Sequence, residues 1–480
     1  MAKKHPTPTI REYNQIFLEA LEQLNPGQQN AVDQIEGPVL VIAGPGTGKT
    51  HILAARIGRI LMETDTSAQN ILCLTFTDAG ANAMRERLLS FIGPEAHRVH
   101  IYTFHSFCNT VIQENLEFFG RHDMEPISEL EQIELFRKLI DGLEHDHPAK
   151  GQRNDPYAFE RPLRELMLQM KSENWSVGFM IEKIAAYLAD LPQRKDFIYQ
   201  RKTKDFVKGD LKQWKVEEEE RKMDRLKAAA KLYPVYIRLM REMRRYDYSD
   251  MILWVLKAFN ENEALLRTYQ ERYLYFLVDE YQDTNGSQNE IVQLLTSYWD
   301  TPNIFIVGDD DQSIFEFQGA RLQNLLDFKN AHHDLSLVVL KDNYRSTQKV
   351  LDVSKILIDH NQYRIINKID GIEKTLLAKN TTLSKDNLWP SVVEYPNRIQ
   401  EAVDIVSQIE QLREQGIPLD EVAIIYAQHR QVANILTLLD KKGIPYNTKR
   451  AVNILDLPIT LKLIQLLKYI SAEQQQPFSG

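Results

Sequence analysis

Two short stretches of the sequence carry residue types that act on phosphate groups. The first is Ala43-Gly44-Pro45-Gly46-Thr47-Gly48-Lys49-Thr50. It follows a phosphate-binding pattern (glycine, four residues, then Gly-Lys-Thr), with alanine at the first position. Gly44, Gly46 and Gly48 lack a Cβ, so backbone N–H groups around them and Thr47 can turn inward about phosphate oxygens. A helix opening near Lys49 adds the positive end of its dipole. In this pattern Lys49 reaches the β- and γ-phosphates and the Thr50 hydroxyl binds Mg²⁺. A chance glycine-rich turn is the bland alternative; the apolar run before it and the helix expected after it weigh against that.

The second stretch, Phe276-Leu277-Val278-Asp279-Glu280, is an apolar run ending in two carboxylates. Alone, such a pair is ordinarily a turn. Beside a phosphate loop it takes on two tasks that the loop cannot perform: Asp279 would hold Mg²⁺, and Glu280 would orient and deprotonate an attacking water. The next apolar run leads into Val307-Gly308-Asp309-Asp310-Asp311-Gln312-Ser313. Three successive aspartates repel one another, which calls for a cation or a special role. An acidic turn is the bland reading, and it is preferred for Asp310. Gln312 is placed to hydrogen-bond a γ-phosphate or the attacking water. Further on, Asn343-Tyr344-Arg345-Ser346-Thr347 sets an arginine near the start of a helix. An arginine from a facing domain stabilises charge on a transferred phosphoryl group, whereas a lone arginine is more often half of a surface ion pair.

Strands and helices must hold these residues in place. The run at 38–43 is apolar and ends in glycines, so it reads as a buried parallel strand. A helix over 49–62, a strand over 71–76, an amphipathic helix over about 80–91 and a short strand near 100–102 follow. Ahead of them Tyr13, Phe17, Leu18 and Leu21 recur at helical spacing until Asn25-Pro26-Gly27 breaks the helix. This alternation predicts a doubly wound parallel sheet. From about 116 to 240 strand-like runs vanish and charged helical sequence takes over, which predicts a helical insertion. Within it, residues 194–215 hold eight Lys/Arg against three Asp, with Phe197, Tyr199, Phe206 and Trp214 interleaved and an acidic block at 217–220 close behind. Such a run can track a phosphate backbone and stack on bases; a solvated helix face or loop is the preferred reading. Strand signals return at 273–278 and 303–307. A later cluster, starting at 336–340 and including 391–395 and 422–426, reads as a second sheet domain.

A chain of 480 residues is too long for one ordinary core and suggests about three domains. Hydrophobic residues at 43% and charged residues at 26% give the balance of a globular protein. No stretch approaches the roughly 20 apolar residues that span a bilayer, and no apolar segment follows the basic N-terminus to make a secretory signal. Cys73 and Cys108 show no metal spacing and fit a reducing compartment as buried small side chains. The net charge of −9 is not that of a dedicated nucleic-acid module, although a local basic groove can serve a large motor.

Taken in order, these pieces resemble the UvrD/Rep-type superfamily 1 DNA helicases over nearly the whole chain. Leu24-Asn25-Pro26-Gly27-Gln28-Gln29-Asn30-Ala31-Val32 resembles their Q motif, which implies that Gln28 reads adenine. Leu74-Thr75-Phe76-Thr77 and Tyr102-Thr103-Phe104-His105-Ser106-Phe107 resemble single-strand contact motifs, which implies DNA contacts by Phe76, Thr77, Thr103 and His105. Asp247-Tyr248-Ser249-Asp250 resembles the acidic motif where the insertion rejoins the motor. The run from Val278 to Asn285 is similar to the family's Walker B run, and that from Gly308 to Phe315 to its coupling motif. The run from Asn343 to Thr347 resembles the next motif, whose tyrosine, here Tyr344, stacks on adenine.

Three departures stand out. His51 replaces the usual arginine at the nucleotide site. Asp78-Ala79-Gly80-Ala81 removes a positive charge near the expected DNA path. Phe315-Glu316-Phe317-Gln318-Gly319-Ala320 keeps a stacking face at Phe317 but gives phosphate no charged partner at Gln318.

The resemblance implies a RecA-like P-loop parallel-sheet motor domain (1–115 and 241–340) with a helical insertion (116–240), plus part of a second RecA-like domain (341–480). It implies ATP and Mg²⁺ as cofactors, single-stranded DNA and duplex junctions as partners, and a cytoplasmic location. The implied activity is ATP-dependent 3′–5′ unwinding in DNA repair or replication; a related P-loop ATPase that translocates without unwinding is a competing expectation. The chain stops at Gly480 before the family's later motor motifs. It therefore reads as an N-terminal portion, with a nucleotide- and DNA-binding fragment of little turnover as the alternative.

Overall fold

The computed structural model describes residues 10–475, apart from 121–123, 153, 203–205, 314–322, 363, 370–371, 384–388, 449–454 and 456. Two compact units form, Met1–Trp389 and Pro390–Gly480. The first is built on a six-stranded sheet of β1 (Val39–Ala43), β2 (Ile71–Thr75), β3 (His100–Thr103), β4 (Tyr275–Val278), β5 (Ile304–Gly308) and β6 (Ser336–Leu340). The order is β3-β2-β4-β5-β1-β6, and every pairing is parallel.

Alternation along the strands sorts side chains into two cores. Leu40, Leu72, Leu74, Phe276, Val278, Ile304 and Ile306 face one side, where Phe107, Val111, Ile252, Val255 and Ile291 meet them. Val39, Val41, Ile71, Cys73, Leu277, Phe305 and Val307 face the other, against Ile52, Ile57, Met84 and Leu88. Burial on both faces explains why the central strands read as continuous apolar runs. Cys73 and Cys108 are free and buried, one in each core. Among the described residues no helix is long and apolar enough to cross a membrane.

Between β3 and β4 the chain makes helices Glu129–Asp141, Glu160–Ser172, Val177–Asp190, Gln213–Ala230 and Tyr233–Glu242. Leu135, Phe136, Leu163, Met167, Tyr236 and Met240 give them a core of their own. The basic run at 194–215 is not one helix face. An antiparallel bridge joins Ile198 to Leu211, and the Tyr199 and Phe206 rings stack at 4.4 Å.

Two sequence expectations change. The strand Ser336–Leu340 pairs with β1 and so completes the first sheet rather than opening a second. The runs at 391–395 and 422–426 form no ladder, and no strand is assigned among the described residues of the second unit. Alternating apolar residues favour a strand, but a ladder also needs a hydrogen-bonded neighbour. The core of that unit comes from helices Arg398–Glu414 and His429–Lys441, through Val406, Ile409, Val432, Ile435 and Leu439.

Candidate active site

Parallel strands deliver the loops that follow them to one edge of the sheet, where open α/β sheets hold ligands. The loop after β1 turns through Gly46 at φ 68° and Gly48 at φ 89°, a left-handed conformation that favours glycine. Space adds a second reason. A Cβ on Gly46 would lie 2.6 Å from the Arg345 Cβ, and one on Gly48 would lie 2.9 Å from Gln28 Nε2. The buried Thr47 hydroxyl donates to Gly44 O at 2.8 Å and braces the turn. Helix Lys49–Glu63 then starts at Lys49 and carries the half-buried Thr50 in its first turn.

At the end of β4, Asp279 stays buried, its N–H donating to Leu74 O at 2.9 Å. Glu280 adopts φ 49°, a left-handed backbone that is uncommon for a side chain of its size. Such geometry costs on the order of 1–3 kcal/mol and clusters at functional sites. Lys49 Nζ donates to Glu280 Oε2 at 2.6 Å, so the phosphate loop and the acidic strand end meet directly. Gln282 Nε2 donates to the same oxygen at 2.8 Å. Burial, then the charge of Glu280, push the Asp279 carboxyl up to about 7. Asp283, one turn on, is pushed up to about 6 by the same two causes, and its Oδ1 is buried with no hydrogen-bond partner among the described residues.

The other expected nucleotide residues gather round this loop. Gln28 is buried, caps its helix with Asn25, and donates from Nε2 to Thr47 O at 2.8 Å. Tyr344 donates its N–H to Gly46 O at 2.9 Å, and its exposed ring carries a hydroxyl that accepts from Asn25 Nδ2 at 2.9 Å. Arg345 is exposed beside Gly46. His51 packs edge-on against Phe91 at 5.3 Å; burial, then Arg87, lower its pKa. Gln312 hydrogen-bonds Asp309 Oδ2 through its amide.

The expected DNA residues lie at the ends of β2 and β3, two neighbouring strands in register at Thr75 and Thr103. Thr77 and Thr103 cap the helices that follow. Phe76 is half-buried. The half-buried His105 ring meets that of Tyr248 at 5.9 Å, and burial lowers its pKa against the opposing pull of Asp247 and Asp78. Phe317 lies outside the described residues.

Asp310 does lie in an acidic turn, but the turn is buried. Asp310 is buried in a 3₁₀ turn, Asp310–Gln312, and its Oδ2 accepts from the Ile365 N–H at 2.9 Å. Its carboxylate and those of Asp309 and Asp311 lie within 4.8 Å of one another, a spacing that would suit a metal ion. Lys374 fills that place, contacting all three. Arg364 grips Asp311 with two hydrogen bonds, of 2.6 and 2.7 Å.

Sequence reasoning missed Lys374 and Arg364, and three other residues. Arg56 is buried over the Phe305 ring and donates to Ala31 O at 2.9 Å, tying the Gln28 helix to the helix after the phosphate loop. Lys171, in the insertion, donates to Asp247 and Asp250 at 2.7 and 2.8 Å. Asn343 donates its amide to Pro45 O at 2.5 Å. Runs of buried aspartate were the one available signal for a missing cation.

A parallel-sheet core with a phosphate loop facing an acidic strand end defines a nucleotide-binding class. Family comparison narrows it. A family model described as UvrD/REP helicase N-terminal domain matches residues 24–333, and one described as UvrD-like helicase C-terminal domain matches 338–477. The chain belongs to the UvrD/REP helicase family. It is 27% identical over 461 residues to the ATP-dependent DNA helicase PcrA of Bacillus subtilis, covering 95% of this chain and 54% of that protein. It is 28% identical over 427 residues to PcrA of Staphylococcus epidermidis, covering 89% of this chain and 51% of that protein. PcrA of Staphylococcus aureus is 27% identical over the same length. The chain thus spans about half the length of the curated relatives it matches. The match at 338–477 leaves the low-turnover fragment alternative without support.

Proposed function

We propose that this chain is the motor of an ATP-dependent DNA helicase, hydrolysing ATP at the Lys49–Glu280 site and translocating 3′ to 5′ on single-stranded DNA. The observation that carries this reading is the 2.6 Å contact between Lys49 Nζ and Glu280 Oε2, made beside the buried Asp279. Lys49 neutralises Glu280. The β- and γ-phosphates of ATP compete for the ammonium. Once released from Lys49, Glu280 is free to accept the proton of an attacking water. Gln282 keeps the carboxylate oriented while its partner changes. Gln312 and Arg345 are assigned to the γ-phosphate side, Gln28, His51 and Tyr344 to the nucleoside side, and Gly44, Gly46, Thr47 and Gly48 to the phosphate cradle.

The donor set fits Mg²⁺. Asp279 has a raised pKa and no side-chain cation hydrogen-bonded to it among the described residues, and Asp283 Oδ1 lacks a partner. Asp279 and Thr50 would hold the ion, which when bound supplies positive charge to the phosphates.

Phe76, Thr77, Thr103, His105 and Phe317 are assigned to single-stranded DNA. The strand-end placement of the first four supports a track along one edge of the sheet. The domain plan 1–115, 116–240, 241–340 and 341–480 belongs to the same proposal, supported for the insertion by its separate core. So do duplex junctions as substrates, a cytoplasmic location and a role in DNA repair or replication. DNA-stimulated phosphate release tests the proposal: the rate should rise with single-stranded DNA and vanish in Lys49→Ala. Strand displacement on tailed duplexes tests polarity, and preference for a 5′ tail would contradict it.

A further inference from the structure

We propose that Lys374 is a positioning residue for hydrolysis, fixing the loop that carries Gln312 and, through Gln282, the carboxylate of Glu280. The inference rests on the ATPase reading of the phosphate-loop site.

The Lys374 side chain is 1% exposed, and those of Asp309 and Asp310 are 0% and 2% exposed. Carboxylates so deeply buried stay ionised only when paired and hydrogen-bonded. Lys374 Nζ donates to Asp309 Oδ1, and lies 2.9 Å from both Asp310 Oδ1 and Asp311 Oδ2. Burial works against its charge, but the three aspartates together outweigh that and raise its pKa. An ammonium here does what a divalent cation would, without exchanging with solvent.

From this point a continuous set of hydrogen bonds runs to the reacting groups. Asp309 Oδ2 accepts from the Gln312 amide, so the ammonium and the glutamine share one carboxylate. The Asp309 N–H donates to Gln282 Oε1 at 2.9 Å, and Gln282 Nε2 donates to Glu280 Oε2 at 2.8 Å. Lys49 holds that same oxygen. Lys374 therefore sets both the amide and the carboxylate from one buried position.

Lys374 also belongs to a strap that spans both loops. Residues 372–376 lead into Leu377–Ala378, which pairs with Asp342–Asn343. Lys374 enters the aspartates, and Leu376 lies over Gly44, where a Cβ would come within 2.7 Å of it. Two inward residues of one strap thus brace the coupling loop and the phosphate loop together.

A contiguous path is not itself proof of coupling, so the test separates position from stability. Steady-state ATPase, nucleotide affinity and Tm are measured on the full chain for wild type, Lys374→Met, and Lys374→Met combined with Asp310→Asn. Lys374→Met should lower kcat by about tenfold to a hundredfold while the affinity for a fluorescent ATP analogue changes by less than about threefold. The double variant, which removes one carboxylate along with the ammonium, should recover Tm but not kcat. It also keeps the test readable if the single variant fails to fold. Recovery of kcat in step with Tm, or undiminished kcat in folded Lys374→Met, would overturn the proposal. Wild-type turnover that Lys49→Ala does not abolish is a separate result: it removes the ATPase reading, and this inference falls with it.

Discussion

Two acidic clusters end neighbouring strands of one sheet, and they are balanced in different ways. After β4, among the described residues, Asp279 is buried without a cation hydrogen-bonded to it, Asp283 has an orphaned oxygen, and Lys49 is committed to Glu280. After β5, Asp309, Asp310 and Asp311 close on Lys374 and Arg364. The pKa values record the difference. Burial outweighs everything else at Asp279, which rises to about 7. At Asp311 burial is overcome by Arg364 and Lys374, which hold the carboxyl below its ordinary value. One cluster keeps an electrostatic demand that a ligand can meet; the other has met its demand from within the chain and keeps a fixed shape.

The sharpest break of this contrast is chemical. Glu280→Gln should lower kcat by at least about a hundredfold, because the amide cannot accept the proton, while ATP still binds; retained turnover would move the base elsewhere. In stability the two clusters should respond with opposite sign. Lys374→Met strands buried carboxylates and should cost about 3–5 kcal/mol in urea unfolding. Asp279→Asn removes a charge that burial disfavours, and should stabilise the nucleotide-free protein by on the order of 1–3 kcal/mol at pH 8.

The pH dependence follows from the direction of the shift. The folded carboxyl titrates at about 7 and the ordinary value is 3.8. Between those values the native state binds more protons than the unfolded one, so stability falls as pH rises. The advantage of Asp279→Asn should therefore be absent below about pH 4 and open up to about pH 7; a gap of constant size would contradict it. The smallest effect belongs to Asn25→Ala. Loss of the helix cap and of the Tyr344 contact should cost about 0.5–2 kcal/mol of stability and weaken ATP affinity without changing kcat.

The nucleotide side was legible because its chemistry is local. Gly44 to Thr50 are contiguous, and Asp279 and Glu280 close a strand whose apolar run announces it. The sheet was legible for the same reason. What was hidden depends on pairing over distance. Lys374 lies 63 to 65 residues from the aspartates it neutralises, and Arg364 lies 53 from Asp311. Neither carries a local signature, and the three aspartates alone could not say whether a metal ion or a side chain would answer them. Strand 336–340 was recognised as a strand, but its residue pattern alone gave it to the wrong sheet, because such a pattern specifies a face and not a neighbour. Runs 391–395 and 422–426 show the converse, strand-like residues without a ladder.

The account turns on which acidic cluster takes an ion. Crystals grown with Mn²⁺ and a non-hydrolysable ATP analogue, with anomalous diffraction recorded at the manganese edge, answer that directly. The predicted result is a single strong peak beside Asp279 and Thr50, with Lys374 still seated among Asp309, Asp310 and Asp311. A manganese peak within those three aspartates, with Lys374 displaced, would contradict it.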